Sequence, residues 1–224
     1  MGPLIKNLIF SLSTILYIII GVSLFDLLVR RGMISKNISR KFIHIRVANR
    51  ILFLYFGDLT HRSKRLREIP PGVFIIAFLI KSRAPPEDPF VRSMSRSGDP
   101  KELLGGTFHY VVMTALLLFL LLMRASLLPR FLLAIIALGF GDGIAALTGG
   151  YGRIGSRSLS GSLGFFFSTI IVSILYFTLF GIAIDEWLDK IIIASFIASL
   201  VEIITPSGYD NITIPLAVIS LAFL

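Results

Sequence analysis

Apolar stretches of near-bilayer length recur along this chain, at Leu4–Val29, Leu103–Met123, Arg130–Thr148 and Ser162–Ile184. A helix needs about 20 such residues to cross a bilayer. Inside lipid no water satisfies a backbone N–H or C=O, so each stretch must close its own hydrogen bonds as a helix. Of the 224 residues, 55% are hydrophobic and 16% charged, against about 25% charged in soluble domains. Mean hydropathy is +0.86. The sequence therefore predicts an all-α, polytopic transmembrane bundle, with residues 1–224 forming one domain. Counting the shorter apolar runs at 47–57, 72–80, 191–205 and 212–224, about six to eight segments meet the membrane.

The net charge of +9 fits basic loops held on the cytoplasmic side against anionic lipid, and no nucleic acid is needed to explain it. There are no cysteines, which excludes disulfides, thiolate nucleophiles and zinc-thiolate sites. The three histidines lack metalloprotease spacing. The N-terminal helix has no small-residue exit, so it reads as retained and not as a cleaved signal. The basic stretch from Arg30 to Arg46 places the N-terminus outside. A second basic run, His61–Arg67, leaves two topologies open for 47–80: two spans, or a tilted hairpin. Under this topology the segments bearing Arg40, Glu102, Asp142, Arg157 and Asp210 all reach the cytoplasmic face.

Chemistry concentrates in Gly139-Phe140-Gly141-Asp142-Gly143 and in the glycine-rich run from Gly149 to Ser162. An acid at the end of an apolar span is costly and needs a reason. Glycines let backbone N–H groups approach an anion, and arginines and serines add phosphate contacts. The pattern suggests a nucleotide-like anion beside a carboxylate holding Mg²⁺, an ion that favours one or two carboxylates plus phosphate oxygens. Asp142 could instead be a helix-end acid paired with an arginine. Asp210-Asn211 could be ordinary turn chemistry, but Glu202, inside an apolar helix, is not required by a turn. Glu202 and Asp210 are candidates for a further metal ligand, and Asp210 for the base that takes a proton from an attacking hydroxyl. Arg40, Lys41 and His44 share a helical face, as a phosphate or head-group contact or as a plain basic patch. Glu102 suits a helix start in any case, and Gly105-Gly106 suits close helix packing.

In this order the motifs resemble the dolichol kinase/phytol kinase family of membrane lipid-alcohol kinases. Arg40, Lys41 and His44 match its basic-pair-plus-histidine segment, and Glu102, Gly105 and Gly106 its acid-Gly-Gly helix start. Asp142, Ala145 and Gly149 fit the start of its cytidine-nucleotide motif, with Gly152, Arg157, Ser158 and Gly161 as the nearest later matches. Glu202, Asp210, Asn211, Ile214 and Pro215 match its last motif. The resemblance covers roughly Arg40 to Pro215. It departs at Arg153, where a glycine is expected, and at Ser160, where a glutamate is expected.

The resemblance implies phosphoryl transfer from CTP, with ATP as the other donor, to an isoprenoid alcohol such as dolichol, phytol or geranylgeraniol, or to diacylglycerol. In that reading Asp142 holds Mg²⁺ with Asp210 or Glu202. Gly149–Gly155 with Arg153, Arg157 and Ser158 cradles the triphosphate, and Arg40, Lys41 and His44 steady phosphate. The expected setting is a prokaryotic plasma membrane or the endoplasmic reticulum, with the site facing the cytoplasm. A cytidylyltransferase that releases pyrophosphate, and a non-enzymatic transporter or scaffold, are the competing readings. The absence of internal repeats weighs against a transporter.

Overall fold

The structure, a computed structural model, describes residues 3–53, 69–154 and 157–221. The basic run His61–Arg67 and Gly155 lie outside the described residues. By internal contacts the chain divides into two compact units, Met1–Met123 and Arg124–Leu224.

The first unit contains α1 (Pro3–Arg30), α2 (Lys36–Phe53), α3 (Ile69–Lys81), a short α4 (Pro89–Met94), a 3-10 turn (Pro100–Leu104) and α5 (Gly106–Met123). α1 is apolar along its length and ends where Gly32 takes a left-handed φ of 68°. α2 lies along it. Arg46 donates to the Tyr17 carbonyl at 3.2 Å and its guanidinium sits 3.8 Å from the Tyr17 ring centroid. Gly21 makes room for this, since a Cβ there would stand 2.7 Å from Arg46 Nε.

The polar stretch 81–101 is folded rather than loose. Asp88 caps α4 by accepting from the Phe90 N–H at 2.9 Å, and Pro89 opens the helix, where its missing N–H costs nothing. Arg92 of α4 pairs with Asp26 of α1. Ser39 Oγ donates to the Ser93 carbonyl.

The second unit is built around one helix in three pieces: α6 (Leu128–Ile136), a π turn (Ala137–Gly141) and α7 (Asp142–Thr148). Of its apolar window 72% is buried, against 33% for α8 (Leu159–Leu179), so the Asp142-bearing helix is the centre of this unit. α8 presents Leu163, Phe167, Ile171 and Leu175 outward and buries Phe165, Thr169, Ser173 and Phe177. This inversion of the soluble pattern fits a helix that faces lipid on one side. α9 (Leu188–Ile204) and α10 (Asp210–Leu221) complete the unit. A two-stranded antiparallel hairpin, β1 (Arg153–Ile154) with β2 (Arg157–Ser158), joins α7 to α8. The all-α expectation omitted it.

Four helical stretches among the described residues are long and apolar enough to cross a membrane: Asn7–Arg30, Pro100–Leu121, Leu128–Thr148 and Leu159–Leu179. Ile69–Lys81 and Asp210–Leu221 are shorter apolar helices.

The π turn packs on α8 through a bare glycine. A Cβ on Gly141 would stand 2.7 Å from Thr169 Oγ1 and 2.8 Å from Phe165 Cζ. Gly141→Leu should therefore destabilise the second unit by about 1–3 kcal/mol, the usual range for overpacking. Thermal unfolding in detergent checks this, with Gly72→Ala, where the added Cβ meets nothing within 4 Å, as the tolerated control.

Candidate functional site

The two parts of the sequence-derived site fall in different units. Arg40, Lys41, His44 and Glu102 belong to the first. Asp142, the glycine-rich run, Glu202, Asp210 and Asn211 belong to the second.

In the second unit the glycine-rich run folds back on itself. Gly152 takes a left-handed φ of 65°. The Leu159 N–H donates to the Gly152 carbonyl at 2.8 Å. Ser158 Oγ accepts from the N–H groups of Gly161 at 3.1 Å and Gly150 at 3.3 Å, so it caps α8 and ties the hairpin stem together. Ser160 Oγ accepts from the Tyr151 N–H at 3.1 Å. Gly149 and Gly161 permit the close crossing of α7 and α8. A Cβ on Gly161 would stand 2.9 Å from the Ala145 carbonyl oxygen.

Sequence reasoning expected these glycines to offer backbone N–H groups to an anion. The structure spends the Gly149 N–H on the Ala145 carbonyl of α7 and those of Gly150, Tyr151 and Gly161 on the hydroxyls of Ser158 and Ser160.

The hairpin delivers Arg157 to two buried carboxylates. Nη1 lies 2.9 Å from Glu202 Oε1 of α9, and Nη2 lies 2.6 Å from Asp210 Oδ2 of α10. Glu202 also accepts from Ser162 Oγ at 3.3 Å. Asp210 Oδ1 accepts from the N–H groups of Gly208 and Asn211, each at 3.0 Å. Both Asp210 oxygens are thus committed to holding the hairpin and the start of α10. Burial works against the Arg157 charge. The hydrogen bond to Asp210 and the charges of Glu202, Asp210 and Asp142 outweigh it, holding the guanidinium above its ordinary value.

Asp142, 1% exposed, follows the π turn directly, and its charge acts on both Arg157 and Glu202. The charges of Glu202, Asp210 and Asp142 all act on this one guanidinium. Among the described residues no three His, Asp or Glu side chains are arranged to hold a metal ion by themselves.

In the first unit Arg40, Lys41 and His44 are all buried on α2. The His44 ring stacks on Tyr110 of α5, with centroids 4.3 Å apart, and Tyr110 donates its O–H to the His44 carbonyl at 2.9 Å. Glu102 turns back on the preceding loop and accepts from the N–H groups of Arg96 at 2.7 Å and Ser97 at 3.1 Å. Here its work is to hold that loop.

Sequence reasoning missed Asp26, whose pairing with Arg30 and Arg92 was signalled by an acid inside an apolar helix. It also missed Ser162 as a partner of Glu202, which nothing local to the sequence reveals.

The chain is 32% identical over 222 residues to "Probable phytol kinase 1, chloroplastic" of Glycine max, covering 90% of this chain and 71% of that one. It belongs to the phytol kinase family. Similarity of the same order extends to "Probable phytol kinase, chloroplastic" of Zea mays, 32% identical with 91% and 71% of the two chains covered. It extends also to "Phytol kinase 1, chloroplastic" of Arabidopsis thaliana, 29% identical with 89% and 70% covered. No family model matches the chain, and no solved structure does. The family membership makes this a membrane lipid kinase of the phytol kinase type.

Arg157→Ala leaves two buried carboxylates without their cation, a class of change that costs about 3–5 kcal/mol. Arg157→Lys should recover little, because a point charge cannot fork to two acids. Arg157→Ala/Glu202→Gln, which removes one stranded charge, should melt above Arg157→Ala alone. Melting temperatures of the three purified variants in detergent check the order.

Proposed function

We propose that this chain transfers the γ-phosphoryl group of CTP to the hydroxyl of an isoprenoid alcohol of the phytol, geranylgeraniol or dolichol type, using Mg²⁺. The observation that carries the reading is Asp142, a buried acid in a membrane-length helix whose charge acts on the Arg157–Glu202–Asp210 network. Such a site suits a divalent cation that brings a polyphosphate with it. The donor set fits Mg²⁺, which takes one or two protein carboxylates and completes its shell with phosphate oxygens and water. A closed protein cage is not required. Asp142 would hold it, with Glu202 or Asp210 contributing only by sharing from Arg157. When bound, Mg²⁺ neutralises charge on the phosphates.

The chain's own residues supply the rest. Phosphoryl transfer depends mainly on positioning and charge stabilisation. Arg157, fixed by two carboxylates, is a preorganised cation. Arg153 is proposed from the sequence as a second phosphate contact. Asp210 was the sequence-based choice of base. Its commitment to Arg157 and two N–H groups favours a positioning role, and a loose transition state asks little of a base. Arg40, Lys41 and His44 are proposed to steady phosphate or the lipid head group. We further propose that the shorter apolar helices join the four long ones to give six to eight membrane segments, with the nucleotide site on the cytoplasmic side. Positive-inside loops support that orientation.

The test incubates purified protein with Mg²⁺, γ-labelled CTP or ATP, and a panel of lipid alcohols. Label should enter the lipid fraction with CTP and an isoprenoid alcohol. Asp142→Asn should lower turnover by at least about 100-fold while melting like the parent. Pyrophosphate release without labelled lipid would overturn the kinase reading in favour of a cytidylyltransferase. Full activity in Asp142→Asn would overturn the role given to that residue.

A further inference from the structure

Phosphoryl transfer leaves one cavity of the first unit without a role. It lies where α1, α3 and the start of α4 meet, and holds about 180 Å³ of space. A protein cavity of about 150 Å³ is enough to hold benzene.

The two ends of the cavity differ in chemistry. Ile19 and Val22 of α1 and Phe74 of α3 form a carbon-lined floor. Lys81, which ends α3, and Asp88, which caps α4, stand at the other end. Lys81 is two helical turns beyond Phe74, about 10 Å along the axis. Phe90 closes one side, packed edge-on against Phe78 with ring centroids 4.9 Å apart.

Lys81 Nζ donates to Asp88 Oδ2 at 2.6 Å, and the Phe90 N–H donates to Asp88 Oδ1 at 2.9 Å. Burial opposes the Asp88 charge. The hydrogen bonds from Lys81 and Phe90 outweigh it and hold the carboxyl below its ordinary value, so Asp88 is an anion at neutral pH. The pair does not exhaust either group. An ammonium carries three donors and a carboxylate about four acceptor sites, and 40% of the Lys81 side chain is exposed. A cation and an anion with spare capacity thus stand side by side over an apolar floor.

The cavity also reaches the outer surface of the unit. Ile19 is 51% exposed and continues the exposed stripe of Leu12 and Leu16 on membrane-length α1. Ile76 and Ile80 of α3 are exposed beside it in sequence. Such apolar faces meet lipid, and the polar turn at 82–88 marks the start of the water layer.

We propose that this cavity seats the headgroup of a zwitterionic membrane phospholipid, one that carries a phosphodiester and a primary ammonium. The phosphate meets Lys81, the ammonium meets Asp88, and the acyl chains leave along the exposed faces of α1 and α3. The proposal does not draw on the kinase reading. Charge selects the occupant. Purely basic pockets between membrane helices take acidic headgroups, but here an anionic headgroup would meet Asp88 with a like charge. An isoprenoid alcohol would bring one neutral hydroxyl to two charges. A headgroup bearing both signs satisfies both, and its short carbon linker suits the floor.

The test mixes purified protein in detergent with equal amounts of phosphatidylethanolamine and phosphatidylglycerol of matched chains, and counts bound lipid by native mass spectrometry. The wild type should retain phosphatidylethanolamine over phosphatidylglycerol by about threefold to fivefold, the scale of one partly exposed ion pair. Asp88→Asn keeps a side-chain oxygen to cap α4 and loses the charge, so its ratio should fall to near one while it melts like the parent. Lys81→Met should lower retention of both lipids. Equal retention of the two lipids by the wild type, a preference that survives in Asp88→Asn, or unchanged retention in Lys81→Met each overturns the proposal. So does bound phosphatidylethanolamine that excess phytol displaces, which would give the cavity to an alcohol. No nucleotide or turnover enters the measurement, so its failure leaves the kinase reading standing.

Discussion

The second unit is held in shape by Arg157, gripped between Glu202 of α9 and Asp210 of α10. All three are largely buried. Two desolvated acids alone would repel each other and drive α9 and α10 apart. With the guanidinium forked between them, the same acids become a clamp on the hairpin that joins α7 to α8. Geometry of this kind recovers the cost of burying charge only when the remaining oxygens are also bonded. Ser162 and the N–H groups of Gly208 and Asn211 supply those bonds. Here a third buried acid, Asp142, also acts on the same guanidinium.

The π turn sets the position of Asp142. The Asp142 N–H reaches back to the Ala137 carbonyl, five residues earlier, and such turns recur at functional sites. One extra residue in the helix rotates everything after it by about 100°. In a helix whose other faces are occupied by Phe165 and Thr169, that rotation decides whether an acid is wasted in a packed wall or placed in a charged network. Gly141 permits it, because no side chain fits between the turn and α8.

This explains what could be read from the sequence and what could not. The long apolar spans were legible to within a few residues, since Leu4–Val29 became Pro3–Arg30 and Leu103–Met123 contains α5. Asp142, Glu202 and Asp210 were legible as acids where acids are expensive. Their partner was not. Arg157 is 53 residues from Asp210 in sequence, and no local pattern reports a contact over that distance. The glycine-rich run looked like an open loop offering donors. Instead Ser158 and Ser160 turn those donors inward, because a capping hydroxyl and a hairpin stem satisfy backbone groups more cheaply than leaving them unpaired. Glu102 looked like part of a motif, and it holds the loop before its own helix.

In the proposed kinase, Asp142, placed by the π turn and beside the Arg157 clamp, makes the second unit a nucleotide site. Ligand binding to the folded state raises the melting temperature, so the most direct measurement compares melting of the wild type and Asp142→Asn with CTP, with Mg²⁺, and with both. The two proteins should melt alike without ligand, and CTP with Mg²⁺ should stabilise the wild type but not Asp142→Asn. Equal stabilisation of both proteins would contradict it.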